Sequence, residues 1–341
     1  MLPQTWILNI ISLWQRFIYA AQDGRILFAP TMWFSAKIVL YNTETDSQTK
    51  KQGSGNVKKY QPIFLLIIYI IISVPFTVAA PTDILLWADD FTLYLPDTTD
   101  YLDSLKDEID GYLSDKAGDW SVYVKNLDTD VSFSINNKEM SPASTIKLFN
   151  MVALYDSVNK NEVTMSNTVK SNLNSMITQS DNNASNIIVS TVGGGSFAAG
   201  AKKVTELASE LGCTDTQEEH ILYSIAPASP GSGKNTTSVE DCGLILENIY
   251  RKRCVSATYD QEMLDLLLAQ TRTDGIPLKL PGDTPIANKT GENSKVVADV
   301  GLVFSENCDY VICVIVNGYK NTATACAGIA EISKKVYDYF N

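Results

Sequence analysis

One serine and one lysine are spaced so that their side chains could share a proton. Ser144 and Lys147 stand three residues apart at the predicted start of a helix, which places both side chains on one helix face. A serine hydroxyl needs a base to become a nucleophile, and a lysine amine serves when burial or a neighbouring cation lowers its pKa. The same spacing occurs twice elsewhere, at Ser47/Lys50 and Ser157/Lys160. The pair alone is therefore a weak signal.

Two triplets downstream distinguish Ser144 from the other serines. Ser180-Asp181-Asn182 and Lys289-Thr290-Gly291 each occur once, in that order. The set S-x-x-K, S-D-N and K-T-G is typical of class A β-lactamases and penicillin-binding proteins. The chain from about residue 120 to residue 341 resembles that superfamily, with class A β-lactamases as the most similar family. The resemblance implies an α/β (α+β) domain with the β-lactamase/transpeptidase-like fold, and a serine hydrolase that works through an acyl-enzyme.

The resemblance also assigns a role to each residue of the three motifs. Ser144 is the expected nucleophile, Lys147 the base for acylation, and Ser180 the relay of the proton to the leaving nitrogen. The substrate is expected to contact Asn182, Lys289, Thr290 and Gly291. The second ammonium, on Lys289, is expected to help keep Lys147 unprotonated. The backbone N–H groups of Ser144 and Glu292 would form the oxyanion hole; Asp181 would brace its loop, and no metal or cofactor is expected.

The residues that activate water in class A β-lactamases are missing from the corresponding loop. A count from Leu211 to Asn235 without gaps places Leu222 at the glutamate position and Ala226 at the asparagine position. Neither side chain can act as a general base. Glu219 could replace the glutamate only after a three-residue slip of the loop. We therefore expect acylation of the serine followed by slow deacylation.

The expected substrate is a β-lactam or an amide that resembles D-Ala-D-Ala, hence a small molecule or a peptidoglycan-derived one. Two other functions fit the same motifs: a peptidoglycan D-Ala carboxypeptidase-type serine hydrolase, and a non-catalytic sensor or binding module that keeps the pocket. Sustained turnover, a stable adduct on the serine or no adduct would distinguish these three functions.

Composition excludes several other classes of protein. The net charge of −12 over 341 residues argues against nucleic acid as a partner. A single histidine, His220, excludes any site with two histidine ligands. The six cysteines contain no C-x-x-C pair, so zinc ribbons and thioredoxin-like motifs are not expected. Disulfides stay unassigned, and a monomer is expected.

An uncharged, apolar stretch at 61–82 is long enough to cross a bilayer. Lys58 and Lys59 precede it, which predicts that 1–60 is cytoplasmic and that the C-terminal part lies outside the cytoplasm. Small residues near its end resemble a signal-peptidase site. The segment is therefore either a single-pass membrane anchor or a cleaved signal segment, in which case the protein is secreted. We also hypothesise that translation starts near Val57.

Hydrophobic spacing predicts a first helix, which follows a juxtamembrane linker within 83–117. The resemblance implies a β-lactamase-like catalytic domain over 118–341. Alternating residues indicate strands near 120–127, 131–135, 297–304 and 310–318. Helical patterns occupy most of the middle and the C-terminal end. We expect these strands to form one antiparallel sheet built from both ends of the chain, next to a reduced all-helical subdomain.

Overall fold

The computed structural model describes residues 35–41, 65–71, 100–223 and 234–341. The chain divides into two compact units, 1–92 and 93–341. In the first unit, strand β1 (Ser35–Tyr41) pairs antiparallel with strand β2 (Leu65–Ile71).

The predicted membrane segment at 61–82 overlaps strand β2. Its residues 65–71 form a strand instead of part of a helix, and the rest of the segment lies outside the described residues. Within those residues no helix is both long and apolar enough to cross a membrane. Membrane tethering stays a prediction, and the hypothetical start near Val57 also lies outside the described residues.

The second unit contains a five-stranded antiparallel sheet with the strand order β4-β3-β7-β6-β5. Its strands are β3 (Asp119–Asn126), β4 (Ser132–Ile135), β5 (Ile286–Glu292), β6 (Val296–Phe304) and β7 (Asp309–Asn317). The sheet is thus assembled from both ends of the domain, as predicted. Strand β5, which carries Lys289-Thr290-Gly291, lies at one edge of this sheet.

Eight α-helices surround the sheet in the described part of the second unit. They are α1 (Asp100–Leu113), α2 (Ile146–Asn159), α3 (Asn167–Thr178), α4 (Asn182–Val192), α5 (Phe197–Glu210), α6 (Val239–Tyr250), α7 (Ala257–Leu268) and α8 (Thr322–Phe340). Helix α3 was not predicted, because its sequence is mostly polar. The Ser166 hydroxyl caps it by accepting a hydrogen bond from the backbone N–H of Val169, a usual start for a helix.

The sheet separates two hydrophobic cores. Along β7, Val311, Cys313 and Ile315 belong to the core shared with helices α2 to α7. The alternate residues, including Ile312 and Val314, belong to the core shared with helices α1 and α8. This period of two is the expected pattern for a strand that is covered on both faces. The mixed α/β architecture confirms the predicted fold class.

Candidate active site

Ser144 lies at the start of helix α2, in a short 3-10 turn over Ala143–Thr145. The residue before it, Ala143, has a φ of 46°, a conformation that costs energy for a residue with a Cβ. Strain of this kind at a helix entrance is common at functional sites. The half-buried Ser144 also lies where the positive end of the helix dipole favours developing negative charge.

The amine of Lys147 contacts the hydroxyl of Ser144. The Nζ–Oγ distance is 2.9 Å, and Nζ lies 2.6 Å from both the backbone oxygen of Ser180 and Oδ1 of Asn182. A neutral amine has two N–H donors and one lone pair. The two N–H groups can therefore donate to the two carbonyl-type oxygens while the lone pair accepts from the Ser144 hydroxyl.

Burial lowers the pKa of Lys147 to about 7, whereas the charge of Asp181, and that of Glu218 whenever Glu218 is ionised, opposes this shift. The side chain is fully buried, and removal from water destabilises the charged form of an amine. Burial or a neighbouring cation was expected to lower this pKa, with Lys289 contributing, and burial is the main cause. Lys147 is thus poised to exchange a proton near neutral pH.

Ser180 is held between two lysines. It lies in the turn between helices α3 and α4 with a φ of 59°. Its hydroxyl oxygen is 2.9 Å from Nζ of Lys289 and 3.2 Å from Nζ of Lys147. The hydroxyl therefore links the amines of Lys289 and Lys147.

Lys289 is fully buried at the sheet edge. Its Nζ also donates to the backbone oxygen of Thr290, at 2.8 Å. Burial and the proximity of Lys147 lower its pKa well below the usual lysine value. Thr290 itself is buried in the same strand.

Gly291 allows strand β5 to lie against the nucleophile. A Cβ at this position would lie 2.9 Å from the backbone oxygen of Pro142 and 3.2 Å from the backbone nitrogen of Ser144. Real Cβ atoms essentially never make contacts as short as the first of these distances, and the second is tighter than most. A glycine is therefore required for the edge of the sheet to approach the Ser144 N–H, and Glu292 follows directly along the strand.

Asn182 and Asp181 complete the S-D-N turn. The Asp181 carboxylate caps helix α4 by accepting from the backbone N–H of Ala184 at 2.7 Å, the bracing role that was predicted for it. Oδ1 of Asn182 accepts a hydrogen bond from Lys147, and its Nδ2 donates to the backbone oxygen of Tyr223 at 2.8 Å. Its amide therefore ties the base to the loop that follows helix α5. Contact of Asn182 with substrate stays a prediction.

The comparisons with known proteins agree with this geometry. A family model described as "Beta-lactamase enzyme family" matches residues 104–172 and 167–340. The chain belongs to the beta-lactamase enzyme family. The predicted resemblance to class A β-lactamase-like serine hydrolases is thereby confirmed, although no curated protein sequence matches the chain.

Several solved structures have a fold similar to that of this chain and cover most of it. PBP-A matches with a TM-score of 0.63 and 25% identity, covering 70% of this chain and 96% of its own. The TLA-1 extended-spectrum β-lactamase matches with a TM-score of 0.63 and 23% identity, covering 71% and 98%. A Leu-to-Glu mutant of PBP-A, in an acyl-enzyme complex with penicillin G, matches with a TM-score of 0.61 and 25% identity, covering 70% and 96%.

Leu222 is the residue that the sequence count predicts at the position of the water-activating glutamate. The backbone of Leu222 is fixed by the side-chain amide of Asn186, which accepts from its N–H at 2.9 Å and donates to its oxygen at 2.8 Å. The leucine side chain packs on the main core. Glu219 accepts a hydrogen bond from the backbone N–H of Lys234. Ala226 lies outside the described residues.

Three polar residues near this site were not predicted from the sequence: Glu218, Asn150 and Arg272. Glu218 is buried beside Asn150 on helix α2, and its position in a polar run gave no sign of this. Arg272 binds Glu292 at 2.8 Å at the end of strand β5. The spacing of three from Ser144 to Lys147 to Asn150 was the available signal for Asn150.

The structure also describes the single histidine and the six cysteines. The ring Nδ1 of His220 lies 2.8 Å from the backbone oxygen of Ile221. All six cysteines are buried and free. A cluster of side chains suited to a metal ion is absent from the part of the chain that the structure describes.

Proposed function

We propose that this member of the beta-lactamase enzyme family is acylated on Ser144 by β-lactams or by amides that resemble D-Ala-D-Ala, and that it deacylates slowly. The observation that carries the proposal is the 2.9 Å contact between Lys147 Nζ and Ser144 Oγ. The amine is buried and has a lowered pKa. As a neutral group it can donate its two N–H hydrogen bonds to the backbone oxygen of Ser180 and to Oδ1 of Asn182. Its lone pair is then free for the serine proton.

The reaction follows from these contacts. Lys147 takes the proton of the Ser144 hydroxyl as Oγ bonds to the carbonyl carbon of the substrate. The negative charge that develops on the carbonyl oxygen is stabilised by the backbone N–H groups of Ser144 and Glu292. Ser180 donates its hydroxyl proton to the leaving nitrogen as the C–N bond breaks. It takes the proton that Lys147 received in exchange, so both groups return to their neutral forms. The product of this step is an ester on Ser144.

The ester is expected to be long-lived because hydrolysis needs a base near the ester to activate water. Leu222 stands where the sequence count places the family's glutamate. Glu219 is engaged with the backbone N–H of Lys234, and Glu218 is buried against Asn150. Slow deacylation is therefore the outcome that the described side chains favour.

The penicillin complex of the PBP-A mutant supports the choice of β-lactams as acylating agents. A neighbour with 25% identity and a similar fold forms such an acyl-enzyme. We infer that this chain does the same through Ser144.

One experiment distinguishes the functions. The purified protein is mixed with a chromogenic cephalosporin while colour and intact mass are followed. A stoichiometric burst with a stable adduct on Ser144 would support the proposal. Sustained turnover would instead show an efficient β-lactamase. Absence of any adduct, with Ser144→Ala indistinguishable from wild type, would favour a binding module and contradict the proposal.

A second substrate tests the carboxypeptidase alternative. The protein is incubated with a peptide ending in D-Ala-D-Ala, and released D-Ala is measured. Release that is lost in Ser144→Ala would identify the natural reaction as peptide hydrolysis. Adduct formation with the cephalosporin but no D-Ala release would restrict the proposal to β-lactams.

We also propose that the catalytic unit works outside the cytoplasm, on the basis of the apolar stretch at 61–82 and the lysines before it. A reporter enzyme that is active only outside the cytoplasm, fused after residue 341, would show this by its activity. An inactive reporter in cells that contain the intact fusion would contradict it.

A further inference from the structure

A buried polar cluster lies behind the catalytic lysine. Asn150 follows Lys147 by three residues on helix α2, so the two side chains lie on the same helix face. Its Nδ2 donates to Oγ of Ser185 at 3.1 Å and to Oε1 of Glu218 at 3.3 Å. Asn150 and Ser185 are fully buried, and Glu218 is 3% exposed.

The cluster contains two acceptor atoms that lack a partner. Among the described residues, neither Oδ1 of Asn150 nor Oε2 of Glu218 has a hydrogen bond. These atoms belong to two side chains that already share one hydrogen bond. A buried polar atom without a partner costs roughly 1–3 kcal/mol, so two of them on neighbouring groups require an explanation.

A single proton on Glu218 satisfies both atoms. A protonated carboxyl has one O–H donor, and Oε2–H can donate to Oδ1 of Asn150 while Oε1 accepts from Nδ2. The acid and the amide are then joined in both directions. An ionised carboxylate, by contrast, would leave both Oε2 and Oδ1 without a donor and would place a charge in the core.

We propose that Glu218 is a positioning residue that stays a neutral acid in the working enzyme, hydrogen-bonded to Asn150 in both directions, and thereby keeps Lys147 a free amine. The proposal rests on the proposed function only in taking Lys147 as the base. An ionised Glu218 would favour the protonated form of Lys147 through the low-dielectric interior. A neutral Glu218 removes that effect.

The surroundings of both groups agree with this arrangement. Burial raises the pKa of Glu218 to about 8, against the hydrogen bond from Asn150 and the charge of Lys147, which lower it. Asp181 and Lys289 are the other charged groups that interact with the Lys147 amine. The backbone of Glu218 is fixed to helix α5, because its N–H donates to Oγ1 of Thr205 at 3.0 Å.

The first test needs no substrate. The infrared spectrum at about pH 6, below the raised pKa, is compared between wild type and Glu218→Gln. We expect the variant to lose a carbonyl band of a protonated, buried carboxyl. A glutamine can make the same two hydrogen bonds to Asn150, so the fold should persist. Identical spectra in the carboxyl region would overturn the proposal whether or not the enzyme acylates.

The second test measures the acylation rate with the chromogenic cephalosporin as a function of pH. It follows the acid limb of this profile, which is the low-pH range in which the rate rises with pH. In Glu218→Gln this limb should stay within a few tenths of a pH unit of wild type, because one neutral group replaces another. A displacement of a full unit or more to lower pH would show that Glu218 was ionised beside Lys147, and would overturn the proposal.

The reciprocal exchange supplies the control. Asn150→Asp places two carboxyl groups in one site, where at least one must ionise as the pH rises. The acid limb should therefore move up by about one unit, which is about tenfold slower acylation at a fixed pH on that limb. The double variant Asn150→Asp/Glu218→Gln again has one acid and one amide and should return the limb to its wild-type position. If the double variant keeps the displacement of the single one, the paired arrangement is wrong.

Discussion

At the scale of single residues, the decisive property of the site is the burial of the Lys147 amine. An exposed lysine would be protonated at neutral pH and could not accept the proton of Ser144. Here the amine is fully buried and is contacted by Ser180 and Asn182 as well as by the nucleophile. Because burial destabilises the ammonium form, the base is available without a histidine.

A pH profile tests this property. Burial lowers the pKa of Lys147 to about 7, and only the unprotonated amine can accept a proton. The acylation rate should therefore fall about tenfold per pH unit below this value and level off above it. Lys147→Arg, which stays protonated, should lose about 10²–10⁴-fold in rate.

Lys160→Arg is the matched control for the pH profile, since Lys160 belongs to another Ser-x-x-Lys pair but forms a surface ion pair with Asp156. We expect its profile to match that of wild type. A rate that is independent of pH around 7, in wild-type protein that remains folded, would exclude Lys147 as the base.

Leu222 offers the second prediction at this scale. Leu222→Glu places a carboxylate on a backbone that Asn186 already fixes from both sides. We expect the burst with the chromogenic cephalosporin to become sustained turnover, with an increase in deacylation of about 10²-fold or more. The measurement is the steady-state slope after the burst.

Leu222→Gln has nearly the same shape as Leu222→Glu but lacks the base, so it should keep the slow phase of wild type. Equal slopes for the two variants would show that residue 222 does not face the ester, and that slow deacylation has another cause.

At the scale of secondary structure elements, the site forms where three elements lie in contact. Helix α2 supplies Ser144 and Lys147, the turn between helices α3 and α4 supplies Ser180, and strand β5 supplies Lys289. The distance along the chain from Ser180 to Lys289 is 109 residues. The approach of strand β5 to the start of helix α2 therefore brings the amine of Lys289 to Ser180.

Gly291→Ala tests this approach. The added methyl group would lie 2.9 Å from the backbone oxygen of Pro142, so strand β5 must move away from Ser144. We expect acylation to slow by about 10²-fold, because a misplacement of about 1 Å has effects of that size. The acylation rate and the melting temperature are measured together.

Gly282→Ala is the control for the strand position, since no atom lies within 4 Å of a Cβ added at Gly282. It should acylate like wild type. If Gly291→Ala also acylates at the wild-type rate, close contact between strand β5 and the nucleophile is not needed.

At the scale of the whole domain, the sheet carries two cores that depend on both ends of the chain. Strands β3 and β4 come before the helical subdomain, and β5 to β7 come after it. The C-terminal helix α8 packs with helix α1 on one face. Helices α2, α3 and α4 lie on the other face, and strand β5 belongs to the sheet itself. We therefore expect the site to be lost when the domain unfolds.

A core substitution far from the nucleophile tests this dependence. Ile332 in helix α8 is fully buried, and Ile332→Ala should destabilise the domain by about 2–5 kcal/mol. The melting temperature should fall by several degrees, with acylation and circular dichroism lost in the same transition. Leu278→Ala should change little, because Leu278 is 54% exposed. Two separate transitions would show that the helical part and the sheet unfold independently.

Much of the fold was readable because strands and helices leave local patterns. The hairpin of β3 and β4, the pair β6 and β7, and the C-terminal helix α8 were predicted close to their observed bounds. Helix α3 was missed since its apolar face is narrow and most of its residues are polar. The apolar run at 61–82 predicted a helix, whereas its described part, Leu65–Ile71, is a strand paired with β1. An apolar run by itself is compatible with either a helix or a strand.

The sequence alone determined the chemistry that is available: a serine with a lysine three residues on, a second serine, a second lysine, and a leucine at the position of the family's glutamate. The tertiary structure decided which of these groups can exchange protons. Burial lowers the pKa of Lys147, folding brings Ser180 to Lys289, and packing encloses Glu218 beside Asn150. A pKa depends on the water and charges that surround a group in space, and neighbours along the chain do not specify those surroundings.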